Sequence, residues 1–305
     1  MKICFLGSGA MGSAIGGILS ESGQDVLLID QWKEHVDALN TGGLKLTEKS
    51  ETRMIKVKAS SNVQAVAQAD LMVFLVKSYH TEETLKQVQS FIREDTPVLS
   101  LQNGLGNEER IAGILGVKRV LGGVTHSGSV LHRPGEVSFG RDRTCIGEMD
   151  GNLSDRVREV VRIFNQAGLE TEASDNILGL IWDKLLVNVA VSPISAITGL
   201  THGEMQQAEF LKATAFDAVE EALRVAAAAG VQLSLQDPAD AWAKAMQGLS
   251  PGHKSSMLKD LEQGRRTEID VINGAVVILG KKLGIPTPVN KTLTAAVKGF
   301  ERSFS

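Results

Sequence analysis

Five short apolar runs recur through the first part of the chain, Ile3–Leu6, Val26–Ile29, Leu71–Val76, Val98–Leu101 and Val120–Val124, and helix-spaced segments such as Ala10–Ser22 and Thr81–Ile92 lie in the gaps. Runs this short, apolar and rich in β-branched residues read as strands buried on both faces. Strands that alternate with helices are joined by crossovers, so this part of the chain is constrained to a parallel α/β sheet with helices covering it. Between residues 42 and 60 the pattern becomes alternating, in Leu44-Lys45-Leu46-Thr47 and in Met54-Ile55-Lys56-Val57-Lys58, which predicts a partly exposed hairpin. Glycines and single valines from Val130 to Ile146 predict short antiparallel strands at the edge of the same sheet.

From Asn176 onward the strand signal is gone. Ile177–Val191, Glu204–Ala229, Pro238–Met246, Lys254–Glu262 and Thr267–Leu283 have helical length and composition, with breaks at Pro193, Gly230, Pro251 and Gly264. The expected organisation is a sheet domain over residues 1–175 and an all-helical domain over residues 176–305.

Composition narrows the function classes. Lys plus Arg number 32 and Asp plus Glu 36 in 305 residues, a net charge of −4, which provides no footprint for nucleic acid or for an anionic membrane. The two cysteines, Cys4 and Cys145, cannot build a disulfide framework and fit a reducing compartment. The run Ile3–Leu6 is too short for a signal-peptide core, and no uninterrupted apolar stretch approaches the ~20 residues of a membrane span, so a cytoplasmic location is expected. The six histidines show no metal-ligand spacing, so no catalytic metal is expected.

Gly7-Ser8-Gly9-Ala10-Met11-Gly12 follows the first strand and opens the first helix. In that setting the first glycine permits a tight turn, the second lets backbone approach a pyrophosphate, and the third lets helix and strand pack closely. Gly7, Gly9, Ala10, Met11 and Gly12 are therefore the expected phosphate cradle of a Rossmann-type dinucleotide site. Asp30 ends the second strand, where a carboxylate accepts hydrogen bonds from a ribose 2′-hydroxyl and repels a 2′-phosphate. NADH is the expected cofactor on this ground, with NADPH open because Lys33 lies close by; the competing reading of Asp30 is a solvated turn residue.

Asn103, just beyond the strand Val98–Leu101, and Lys77, at the end of Leu71–Val76, stand at carboxyl ends of strands, where ligands bind in open α/β sheets. Asn103-Gly104 also fits a plain turn, and Lys77 a solvated strand end. In the helical half, Lys184, Asn188 and Ser192 recur at spacings of four along an otherwise apolar helix and form a polar stripe on one face. Two readings stand: a snorkelling lysine with a helix-capping serine, or a cleft wall where partial burial lowers the lysine pKa so that it supplies a proton. Thr267-x-x-Asp270 reads as a helix N-cap, with Glu268 either in that first turn or facing a cleft.

Taken together, the Gly7–Gly12 motif, Asn103-Gly104, the Lys184–Pro193 segment, Ser255-Ser256-Met257-Leu258-Lys259-Asp260 and Thr267-Glu268-Ile269-Asp270 resemble the ketopantoate reductase (2-dehydropantoate 2-reductase) family over essentially the whole chain. The resemblance implies a Rossmann domain and a helical domain acting on a small 2-oxo acid. The implied reaction, as in pantothenate biosynthesis, is reduction of 2-dehydropantoate to (R)-pantoate. It further implies Lys184 as general acid, Asn103 and Asn188 as groups that position cofactor and substrate, and Ser256 and Glu268 as groups that hold the substrate's polar atoms. Three departures accompany it: Ser192, His202 and His253 stand where family members often carry asparagine, and Asp30 stands where a residue suited to NADPH is usual. The alternative within the family is an NADH-dependent D-2-hydroxyacid dehydrogenase for branched or aromatic 2-oxo acids, which shares a segment like Trp32-Lys33-Glu34-His35. A nucleotide-binding redox sensor is a third reading, disfavoured by the Lys184–Asn188 and Ser256–Glu268 pairs. An amphipathic helix such as Glu204–Ala229 offers a surface for a homodimer.

Overall fold

The computed structural model describes residues 1–247 and 250–304. The chain forms two compact units, one of residues 1–102 and 107–177 and the other of residues 103–106 and 178–305.

The first unit is built from β1 (Lys2–Leu6), α1 (Ala10–Glu21), β2 (Asp25–Ile29), α2 (Lys33–Gly42), β3 (Leu44–Glu48), β4 (Glu51–Ile55), β5 (Lys58–Ser60), β6 (Leu71–Phe74), α3 (Thr81–Val88), β7 (Val98–Ser100), α4 (Asn107–Leu115), β8 (Val120–Thr125), β9 (Gly128–Arg133), β10 (Glu136–Gly140), β11 (Thr144–Glu148), α5 (Asp155–Gln166) and β12 (Thr171–Ala173). Eight strands make one sheet in the order β12-β11-β8-β7-β6-β1-β2-β5. Its pairs are parallel except β8 with β11. The chain steps from β1 to β2 on one side and returns to β6 on the other, so the order reverses at β1, where doubly wound sheets bind ligands. β1 carries Ile3, Cys4, Phe5 and Leu6 at 0–1% exposure, which accounts for its lack of polar alternation.

The expected edge strands are arranged differently. The hairpin β3–β4 and the strands β9 and β10 form a second, four-stranded sheet in the order β4-β3-β10-β9, while β5 and β11 join the main sheet. The reason lies in α1, which is buried around its circumference. A Cβ on Gly16 would meet Leu28 and Phe5 of the main sheet, and one on Gly17 would meet Leu44 and Ile55 of the second. A helix apolar on both faces needs a cover on each, and the small sheet supplies the outer one. Cys4 and Cys145 are buried and neither is in a disulfide.

One buried carboxyl carries a stability consequence. Glu108, on α4, is 3% exposed, and burial pushes its pKa from 4.5 up to about 7. Between pH 4.5 and about 7 the folded chain holds a proton that the unfolded chain releases, so stability falls as pH rises through this window. The full penalty above it is on the order of 3 kcal/mol. Glu108→Gln is therefore expected to raise Tm by roughly 2–6 °C at pH 8 and to leave it unchanged at pH 4.5, measured by thermal unfolding at both values.

The second unit contains α6 (Ile177–Thr198), α7 (His202–Gln206), α8 (Glu209–Ala228), α9 (Pro238–Met246), α10 (Ser256–Glu262), α11 (Asn273–Leu283) and α12 (Pro288–Glu301). α6 is long and apolar enough to cross a membrane by length and composition, yet most of it is buried among the other helices. It runs through Pro193 rather than stopping before it. The expected Glu204–Ala229 helix is two helices, α7 and α8, interrupted at Gln207–Ala208, and α7 begins two residues earlier than expected, at a capping box closed by Thr201 and Glu204. Thr267–Leu283 is likewise not one helix: a short 3-10 turn, Ile269–Val271, precedes α11. Asn103–Gly106 belongs with this unit although the sequence places it in the first domain. The Leu105 N–H donates to the Val271 carbonyl at 2.8 Å, and Gly104, at φ 85°, lies where a Cβ would be 2.5 Å from that oxygen.

Candidate active site

In the first unit the site begins where β1 ends. Gly7 has φ 94°, and a Cβ there would sit 2.5 Å from the Val76 nitrogen after β6, so no other residue fits this turn without moving backbone. A Cβ on Gly12 would lie 2.0 Å from the Gly7 carbonyl oxygen. Gly9 differs: it is exposed, and among the described residues no atom outside its own chain neighbourhood lies within 4 Å of the position its Cβ would take. Gly9 is also the N-cap of α1 and provides no side-chain cap, so the N–H end of a 12-residue helix faces an open position. That is the geometry a dinucleotide pyrophosphate requires, and these residues fit it.

Asp30 is more than a solvated turn residue. Its Oδ2 accepts from the Ser8 N–H at 2.8 Å and from the Ser8 hydroxyl at 3.3 Å, and its Oδ1 accepts from the Trp32 N–H at 3.0 Å. The carboxylate remains partly exposed. With about four lone-pair positions it retains capacity for a ribose hydroxyl. Lys77 is partly buried at the turn after β6. Beside this turn sequence reasoning missed Gln102, which is 8% exposed and donates from Nε2 to the Val76 carbonyl and the Thr81 hydroxyl, each at 2.8 Å. Its Oε1 has no hydrogen-bond partner among the described residues. The signal available was its position between a buried strand and Asn103.

In the second unit Lys184 and Asn188 are partly buried on successive turns of α6, and Ser192, one turn further, is 4% exposed. Ser192 sits inside the helix, so it does not cap it. The neighbouring Asp183 is committed elsewhere: it accepts from the Ser234 hydroxyl at 2.5 Å and from the Ser234 and Leu235 N–H groups at 3.0–3.2 Å. The carboxylate that acts on Lys184 is Glu268, itself 9% exposed. Burial pushes the Lys184 pKa from 10.5 down to about 8, and the Glu268 charge opposes that fall without cancelling it.

Glu268 is held from both sides. Ahead of it, the Thr267 N–H and hydroxyl donate to Glu301 Oε1 on α12 at 2.7 and 2.6 Å; behind it, its carbonyl accepts from the Val271 N–H at 3.1 Å. Thr267 thus clamps the segment to α12 and caps no α-helix. Asp270 points to a separate pair, Arg266 at 3.1 Å and Lys298 at 2.5 Å. Asn103, with Gly104–Gly106, is joined to the same 3-10 turn through the Leu105–Val271 hydrogen bond.

Ser255 and Ser256 divide two tasks. Ser255 is buried and caps α10 by accepting from the Leu258 N–H at 3.1 Å, whereas Ser256 is exposed. His202 is 6% exposed, its ring 5.0 Å from that of His253, and neither of its ring nitrogens has a hydrogen-bond partner among the described residues. Burial, reinforced by His253 and Lys259, pushes its pKa down to about 4, so the ring is neutral and carries one donor and one acceptor. Among the described residues no cluster of three or more His, Cys, Asp or Glu side chains is placed to hold a metal ion.

Comparison with known proteins meets this geometry. The family model described as ketopantoate reductase PanE/ApbA matches residues 3–151, and its C-terminal counterpart matches residues 176–301. A 2-dehydropantoate 2-reductase of Pyrococcus horikoshii is 38% identical over 302 residues, covering 99% of this chain and 98% of that protein. A ketopantoate reductase family structure from Ralstonia eutropha JMP134 superposes with a TM-score of 0.92 at 36% identity, covering 100% of this chain and 99% of that one. A ternary structure of D-mandelate dehydrogenase with NADH and anilino(oxo)acetate gives 0.93 at 31% identity, with the same coverage. The matches span both units, and the chain belongs to the ketopantoate reductase family.

Proposed function

We propose that this chain reduces a 2-oxo acid to the (R)-2-hydroxy acid with a nicotinamide cofactor, that 2-dehydropantoate is the substrate, and that Lys184 is the proton donor. The observation that carries the reading is the desolvated Lys184 ammonium with a pKa of about 8 under the charge of Glu268. A group with that pKa is roughly nine-tenths protonated at pH 7 yet gives up its proton far more readily than an ordinary lysine, as a general acid must. Bound in the Gly7–Gly12 cradle, the reduced dinucleotide supplies the hydride. Lys184 delivers the proton to the oxygen at C2 as negative charge develops there, and the positive charge it holds beforehand stabilises that oxygen. Asn188, one turn along α6, orients the substrate carbonyl; Ser256 and Glu268 take the substrate's remaining polar groups. Asn103, fixed to the turn after Glu268, positions the nicotinamide amide. Curated relatives that act on 2-dehydropantoate at up to 38% identity support the substrate. The second reading, a D-2-hydroxyacid dehydrogenase, is favoured by Asp30 and by the likeness to D-mandelate dehydrogenase with NADH.

Cofactor preference tests the Asp30 half of the reading. Steady-state assays with 2-dehydropantoate are expected to give a higher kcat/KM with NADH than with NADPH. Asp30→Ala narrows the ratio and also weakens both cofactors, because the Ser8 N–H loses its acceptor; Asp30→Asn keeps an acceptor and loses less. A wild-type preference for NADPH would remove Asp30 as the discriminating group.

A further inference from the structure

One buried histidine of the first unit has no part in the chemistry above. His35, on α2, is 0% exposed, and its two ring nitrogens connect elements far apart in sequence. Nδ1 accepts from the Gly135 N–H, in the turn between β9 and β10, at 3.1 Å. A ring nitrogen that accepts carries no hydrogen, so Nε2 carries it and donates to the Ser13 hydroxyl at 3.0 Å. The Ser13 hydroxyl, also at 0% exposure, passes its own hydrogen to the Ser8 carbonyl at 2.6 Å. Burial pushes the His35 pKa down from 6.5, consistent with a neutral ring that both accepts and donates; the Asp30 charge and the nearby Ser8 carbonyl oppose this. Trp32 stacks on the ring at 5.4 Å and an interplanar angle of 15°, which fixes its plane.

We propose that His35 is a positioning residue for the dinucleotide loop, acting through Ser13 on the peptide that joins Ser8 to Gly9. The inference rests on the nicotinamide reading of the Gly7–Gly12 cradle. In a trans peptide the carbonyl and the following N–H point in opposite directions from one plane. The Ser8 carbonyl, on this peptide, is drawn inward by Ser13, and the Ser8 N–H, on the preceding Gly7–Ser8 peptide, is held by Asp30, so the peptide planes on both sides of the Ser8 Cα are pinned. The Gly9 N–H then points away from Ser13, at the exposed residue where a phosphate approaches without meeting a Cβ. His35 sets this by orienting the Ser13 hydroxyl: with the imidazole N–H occupying one side of the oxygen, its hydrogen is directed to Ser8.

Two conservative replacements separate positioning from mere packing. In His35→Gln the side-chain amide stands at the place of Nε2 and restores the donor to Ser13; in His35→Asn the side-chain oxygen stands at the place of Nδ1 and restores only the acceptor for Gly135. Fluorescence titration of the full chain with NADH and with NADPH is expected to show dissociation constants raised about 3–10-fold in His35→Asn and in Ser13→Ala, and within about twofold of wild type in His35→Gln. In turnover the affected variants raise KM for the cofactor and leave kcat at saturating cofactor unchanged. Ser13→Ala keeps the test decisive should His35→Asn not fold. Cofactor binding that is undiminished in Ser13→Ala, or equally weakened by Asn and Gln at position 35, overturns the relay alone. A wild-type chain that binds neither dinucleotide overturns the cofactor reading and the relay with it.

Discussion

Lys184→Ala is expected to lower kcat by roughly 10²–10⁴-fold, the usual range for loss of a general acid, while the dissociation constant for NADH stays within about twofold. The separation follows from where the residues lie: the Gly7–Gly12 cradle and Asp30 belong to the first unit and Lys184 to the second. Lys184→Arg is expected to be nearly as slow, since a guanidinium, far more basic than an ammonium, retains the charge and does not release the proton. The pH dependence carries the same signature. A proton donor works only while protonated, so the wild-type reduction rate is expected to decline as pH rises through about 8, the value to which burial brings Lys184. Glu268→Gln removes the charge that favours the ammonium, so that decline shifts to lower pH. Stopped-flow or steady-state rates between pH 6 and 10 decide the matter. Undiminished kcat in Lys184→Ala would refute the assignment, and an unshifted profile in Glu268→Gln would remove Glu268 as the tuning charge.

What the sequence disclosed, and what it did not, follows from the range of the interactions involved. The strands of the main sheet were legible because burial on both faces leaves an unbroken apolar run, as in Ile3–Leu6. The second sheet was not, because its cause is the outer face of α1, where Gly17 signals a close neighbour only by lacking a side chain. α6 passes through Pro193 because packing of a buried helix outweighs the roughly 3 kcal/mol that an interior proline costs, a tertiary effect that local rules miss. The start of α7 is legible in the capping-box spacing Thr201-x-x-Glu204. At the site, the spacing of Lys184, Asn188 and Ser192 gave the polar stripe, but which carboxylate acts on Lys184 was beyond reach. Asp183 is adjacent in sequence and turns to Ser234; Glu268 is 84 positions away and is set by a threonine clamped to Glu301.

For substrate choice, kcat/KM for 2-dehydropantoate is expected to exceed that for 2-oxoisovalerate and for benzoylformate by up to roughly 10⁴–10⁵-fold, the range reached when a site built for a hydroxyl meets an analogue lacking it. 2-Dehydropantoate carries a terminal hydroxyl besides its 2-oxo acid group, and its absence leaves buried polar atoms unpaired. On the proposed reading one such group in the second unit is the His202 ring, whose nitrogens have no hydrogen-bond partner among the described residues. Neutral at pH 7 with a pKa near 4, His202 offers one donor and one acceptor, the complement of a hydroxyl; the phenyl ring of benzoylformate satisfies neither. Glu268→Ala is expected to erode the discrimination by lowering turnover of 2-dehydropantoate, and His202→Leu to do so more selectively, because it leaves Lys184 and its tuning charge intact. Competition assays with the three acids under one set of conditions measure the ratio directly. Comparable or faster turnover of the two apolar acids would assign the chain to the D-2-hydroxyacid dehydrogenases, and Ser192, His202 and His253 would then mark a pocket reshaped around an apolar substituent.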